Sequence, residues 1–141
     1  HFCENDLVDL LCSAFCDKAE RDGIRLSVDA KLPDKLNIPA TELCALLSNG
    51  LENALNTVSK LSAPDRWAEL YFSIRANKLL IEIRNPYHGE ITIKDGLPVT
   101  DRKGHGYGCR SIRSIAEQNK GMCVFEPNNG IFTLRIVMPV S

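Results

Sequence analysis

Three stretches of the 141-residue chain repeat apolar residues at helical spacing, and five alternate them at strand spacing. Leu7, Leu10, Leu11, Ala14 and Phe15 mark the first helix, with Asn5 or Asp6 as its cap and Asp22-Gly23 as its stop. Leu26, Val28 and Ala30 then alternate with Arg25, Ser27 and Asp29, which predicts a half-buried strand. Pro33 and Pro39 bracket a loop. Leu43, Leu46, Leu47, Gly50, Leu51, Ala54, Leu55 and Val58 form an unbroken stripe, the clearest helix in the chain, ended by Ser62-Ala63-Pro64-Asp65. Leu70, Phe72 and Ile74 define a strand. Ile81 and Ile83 define another, in phase with Asn85, and Ala76-Asn77-Lys78 is the turn between them. Residues 86–103 show no period. Gly108 leads into a helix with Ile112, Ile115 and Ala116 on one face, stopped near Gly121. Val124 and Phe125, an Asn129-Gly130 turn, and Phe132, Leu134, Ile136 and Met138 close the chain as a hairpin.

The order is helix, strand, helix, strand, strand, long loop, helix, strand, strand. Strands outnumber helices, and several must be antiparallel. This predicts an α/β (α+β) two-layer sandwich, a mixed, mostly antiparallel sheet covered by helices on one face. The length fits a single domain over residues 1–141. An apolar fraction of 44% and a charged fraction of 25% are those of an ordinary globular protein. A net charge of -1 gives no reason to expect nucleic acid as a partner. No stretch is long and apolar enough for direct membrane insertion, and no basic, apolar leader opens the chain. The 6 cysteines include no C-x-x-C pair and no zinc-finger spacing. Cys12 and Cys16 share a helix face, where two small core residues in a reducing cytoplasm are the expectation.

Three features carry candidate chemistry. On the polar side of the second helix, Asn49, Glu52, Asn53 and Asn56 fall at i, i+3, i+4 and i+7 and form one stripe. Asparagine is a poor helix former, so three on one face cost helix stability, and an amide oxygen is a hard, neutral ligand suited to magnesium. A solvated face that happens to be Asn-rich is the plain alternative. Second, Gly104-His105-Gly106-Tyr107-Gly108 lies at a helix start, where close-approaching backbone and free amides suit an anion, with Lys94, Arg102 and Lys103 nearby. It is neither a Walker loop nor a dinucleotide fingerprint. Third, Asn85 ends a strand in phase with buried isoleucines, and Gly89 follows it. Its plain reading is a strand-end amide bonding to its own turn.

Together these resemble the GHKL superfamily of gyrase, certain chaperones, mismatch-repair proteins and histidine kinases. Ser48 to Ala54 resembles the asparagine box, Asn85 to Gly89 lies where the first glycine box falls, and Gly104 to Gly108 resembles the second, after a nucleotide lid. Gly130-Ile131-Phe132 to Met138-Pro139 looks like the closing hairpin. The opening His1 to Leu7 and Lys103 to Gly108 look like the quorum-sensing and citrate-sensor branch of the kinases.

The resemblance implies a Bergerat-type fold that binds ATP and Mg2+. It implies that Asn53 is the magnesium ligand. Asn49 stands where ATP-hydrolysing members place a glutamate that activates water; an amide cannot take that proton, so hydrolysis should be poor. Asn85 matches the aspartate that binds the adenine amine, and its amide could also turn to offer a donor. Gly89, Lys103, Gly104, His105, Gly106, Tyr107 and Gly108 would line the nucleotide, with 87–103 as the lid. Asn56 stands where many kinases have a cation that reaches phosphate, with Lys60 or Lys103 as substitutes. The implied function is a cytoplasmic catalytic domain of a membrane-anchored two-component sensor kinase. It would donate the γ-phosphate to a histidine on a separate helical hairpin of the same kinase, and a response regulator would be an indirect partner. The same fold also serves as a nucleotide-gated binding module in anti-sigma factors, which is the alternative.

Overall fold

The computed structural model describes residues 5–32, 36–99 and 107–140, with the backbone alone at Tyr107. Asn5 caps the first helix, α1 (Asp6–Arg21), by accepting a 3.1 Å hydrogen bond from the Val8 amide. Val8, Cys12, Phe15 and Ala19 are its buried positions, each one turn from the next. β1 (Arg25–Ala30) follows and alternates exposed with half-buried residues as the sequence requires.

The second helix, α2 (Ala40–Val58), buries all eight residues of the apolar stripe and no others. Five of them are leucines, and each fully buried leucine stabilises the fold by about 1.5–3 kcal/mol. A 3₁₀ turn (Ala63–Asp65) links α2 to β2 (Trp67–Arg75) and β3 (Lys78–Pro86). The turn between these strands is Ala76-Asn77, both at positive φ, the backbone that a two-residue hairpin between twisted strands demands. β4 (Ile93–Lys94) and β5 (Leu97–Pro98) precede α3 (Tyr107–Gln118), and β6 (Met122–Asn128) and β7 (Ile131–Pro139) end the chain.

Five strands form one sheet in the order β1-β2-β3-β7-β6. β1 runs parallel to β2, and the other pairs are antiparallel. The mixed sandwich expected from the pattern is the observed fold. α2 packs centrally, against α1, α3, β2 and β3. Arg66 locks one end of this layer, with its guanidinium donating to carbonyls of Asp22, Gly23, Ser59 and Leu61. These lie at or just beyond the C-terminal ends of α1 and α2, where backbone acceptors have no helical partner.

The stretch that lacks a sequence period holds a structure of its own. β4 and β5 pair antiparallel around Asp95-Gly96, both at positive φ. Two-residue strands are too short to alternate, so the Asp-Gly turn is the one local signal of this hairpin. Ile93 and Leu97 pack on the core, and the Arg113 guanidinium donates a 2.6 Å hydrogen bond to the Asp95 carbonyl.

Candidate functional site

A cavity of about 210 Å³ opens between α2 and the sheet. Gly50, Asn53, Ala54 and Thr57 form its helix wall; Ile83 and Asn85 of β3 join Phe125, Phe132 and Leu134 in the sheet wall. Ile91, Pro98 and Val99 of the hairpin segment close one side, and Cys109 of α3 contributes a thiol.

Gly50 lets the two walls meet. A Cβ at this position would lie 2.5 Å from Ile83 Cδ1 and 3.2 Å from a Leu134 methyl. A Cβ here would force the Ile83 and Leu134 side-chain ends to shift, so the close approach is set against glycine's cost of about 1 kcal/mol in a helix interior.

Asn85 is 3% exposed, one of two buried polar side chains among the described residues. Its register partner on β7 is Phe132. Its amide Nδ2 donates a 2.8 Å hydrogen bond to the Pro86 carbonyl. The bond to its own turn is therefore present, and the residue lines the cavity as well. This bond uses one of the two N–H groups of Nδ2 and fixes which way the amide is turned, with Oδ1 left as an acceptor.

Asn53 is exposed, and its Nδ2 donates a 3.2 Å hydrogen bond to Cys109 Sγ. Burial pushes the Cys109 thiol up from its ordinary range, and the Asn53 hydrogen bond lowers it in part. The group is a neutral thiol at physiological pH. Asn49 is half-buried and abuts the start of α3: a Cβ on Gly108 would lie 3.4 Å from Asn49 Oδ1. The α2 stripe and the first turn of α3 are thus neighbours.

Other expected residues fall elsewhere. Asn56 is exposed and lies outside the cavity lining, its carbonyl accepting from Ser59 Oγ at 2.8 Å. Gly89 takes φ +82 in an exposed turn, also outside the lining. Lys103, Gly104, His105 and Gly106 lie outside the described residues, as does the Tyr107 side chain. Thr57, Phe132 and Cys109 are lining residues that the sequence did not single out; being ordinary helix or strand positions, they carry no local signal.

Among the described residues no cluster of three or more His, Cys, Asp or Glu side chains could hold a metal. Magnesium does not need one. It keeps several waters and takes one or two protein oxygens plus phosphate oxygens, so a single exposed amide oxygen at Asn53 fits it.

The fold of this chain is shared with histidine kinase catalytic domains. The nucleotide-free catalytic domain of histidine kinase ThkA superposes with a TM-score of 0.76 at 16% identity, over 96% of this chain and 91% of that one. A second nucleotide-free form gives 0.74 at 15% identity, with 96% and 92% covered. Histidine kinase AdeS of Acinetobacter baumannii gives 0.70 at 12% identity, over 96% of this chain and 64% of its own. No curated protein matches the chain in sequence. The GHKL domain family matches residues 38–139, and the chain belongs to that family.

Proposed function

We propose that this chain is the Mg-ATP-binding catalytic domain of a two-component sensor histidine kinase, a single domain over residues 1–141. It presents the γ-phosphate to a histidine on a separate helical hairpin of the same kinase, from which a response regulator is phosphorylated in turn. The observation that carries the reading is the cavity itself, which places Asn53 of the polar helix stripe and the buried acceptor Asn85 in one lining. A volume of about 210 Å³ holds a nucleobase and little more. Whole-ligand pockets run to about 300–1,000 Å³, so the phosphates would extend past the described walls toward the start of α3, where Gly108 lies beside Asn49.

In this reading Asn85 Oδ1 accepts from the exocyclic amine of adenine, and Ile83, Phe132 and Leu134 cover the ring. Asn53 offers its amide oxygen to magnesium, which neutralises phosphate charge when bound. Asn49, beside the α3 start, holds the phosphate end without acting as a base, since an amide takes no proton. Lys103, Gly104, His105, Gly106, Tyr107 and Gly108 supply amides and cations to the phosphates. Catalysis then comes from positioning and charge neutralisation, with no protein nucleophile.

Calorimetric titration with a non-hydrolysable ATP analogue tests it. Binding is expected to tighten when magnesium is present, and Asn53→Ala is expected to remove that tightening. A variant that keeps the full magnesium effect overturns the assignment of Asn53.

A further inference from the structure

An asparagine amide has two ends of nearly equal shape and opposite chemistry. The oxygen binds a cation, and the amino group repels one. A side chain as exposed as Asn53 is free to present either, so a magnesium ligand of this kind needs something to settle which end faces the metal.

Cys109 meets that need. It lies in the first turn of α3, 6% exposed, and its Sγ is 3.2 Å from Asn53 Nδ2 across 56 residues of sequence. The sulfur is a weak acceptor, and in this geometry it takes an N–H of the Asn53 amide. One residue earlier, Gly108 lies close enough to Asn49 that an added Cβ would meet its side chain at 3.4 Å, so the same turn of α3 lies beside the same stripe.

We propose that Cys109 is a positioning residue: its sulfur holds the amino end of Asn53, which commits Oδ1 to the magnesium of a bound nucleotide. The inference rests on the magnesium role proposed for Asn53. It gives α3 a second task besides carrying the glycine turn, because any shift of its first turn away from α2 releases the ligand.

The test compares the wild-type chain with Cys109→Ala, Cys109→Ser and Asn53→Ala. A non-hydrolysable ATP analogue is titrated with magnesium and again in a chelator, and the ratio of the two affinities is the readout. Cys109→Ala is expected to lower the ratio about threefold to tenfold, the equivalent of one modest hydrogen bond. Cys109→Ser, whose hydroxyl also accepts, is expected to restore it. A loss equal in magnesium and chelator means that Cys109 only shapes the cavity, and overturns the proposal. So does an unchanged ratio in Cys109→Ala while Asn53→Ala abolishes it, which leaves the magnesium role of Asn53 intact. An unchanged ratio in Asn53→Ala removes both.

Discussion

The two walls of the cavity are built on opposite terms. The sheet wall is buried: Ile83 is 2% exposed, Asn85 3% and Leu134 3%, all held by the β3–β7 register. Its one polar group, the Asn85 amide, has one N–H held by the adjacent backbone carbonyl. The helix wall turns a polar, exposed edge outward at Asn53, whose side chain is tied among the described residues by a weak sulfur contact. A recognition surface made from the core is rigid because the fold cannot form without it. One made from a solvated helix face can change without unfolding anything, and its order must come from neighbours.

The largest contrast is in stability. Ile83→Ala is expected to destabilise the chain by about 2–5 kcal/mol, as buried Ile truncations do. Asn53→Ala should leave stability level or slightly raised, since alanine is the better helix former. Urea unfolding of both checks this, and comparable losses would mean that the walls do not differ.

Next comes Asn85→Asp. An aspartate carries the charge that would favour the adenine amine, but a carboxylate cannot donate to the Pro86 carbonyl and would face it with like polarity. The change is expected to cost about 1–3 kcal/mol of stability, read by thermal or urea unfolding. It should not improve the ATP-over-GTP preference in competition titrations, because the Pro86 bond already fixes the orientation of the native amide with Oδ1 left to accept. A rise in that preference at unchanged stability would show that the Pro86 bond does not hold the amide.

The smallest effect is on the side that closes over the cavity. Arg113→Ala removes the guanidinium bond to the Asp95 carbonyl, and global stability should move by no more than about 0.5 kcal/mol. Hydrogen exchange of amides in 93–98 is expected to quicken without nucleotide. Identical exchange in both proteins would mean that Ile93 and Leu97 alone dock the hairpin.

How far these features were legible in the sequence depended on their length. The α2 stripe named every buried residue of that helix, because nineteen residues give the helical period several turns to show itself. The Asn129-Gly130 and Ala76-Asn77 turns were visible from turn chemistry between long strands. The β4–β5 hairpin escaped because its strands hold two residues each, so only Asp95-Gly96 marked it. The polar stripe indicated which helix face to suspect but not its neighbour. Whether Asn53 would meet a thiol, or Asn85 its own turn, is decided by contacts between distant elements or by backbone angles, which periodicity does not encode. The four carbonyls gathered by Arg66 escaped for the same reason.

The β3–β7 pairing has a consequence for how this domain tolerates change. Those strands are paired over nine residue pairs, from Lys78–Pro139 to Pro86–Ile131, and the chain between them carries the β4–β5 hairpin, α3 and β6. Their union already closes that excursion into a loop. Closure entropy grows only with the logarithm of loop length, about 0.6 kcal/mol for each doubling. Insertions after Pro86 are therefore cheap for a sheet so firmly paired, whereas one inside either strand would shift every side chain beyond it to the opposite face. Variation among relatives should accumulate in the covering segment, and lineages can lengthen it, shorten it or rewrite it while the walls beneath keep their register.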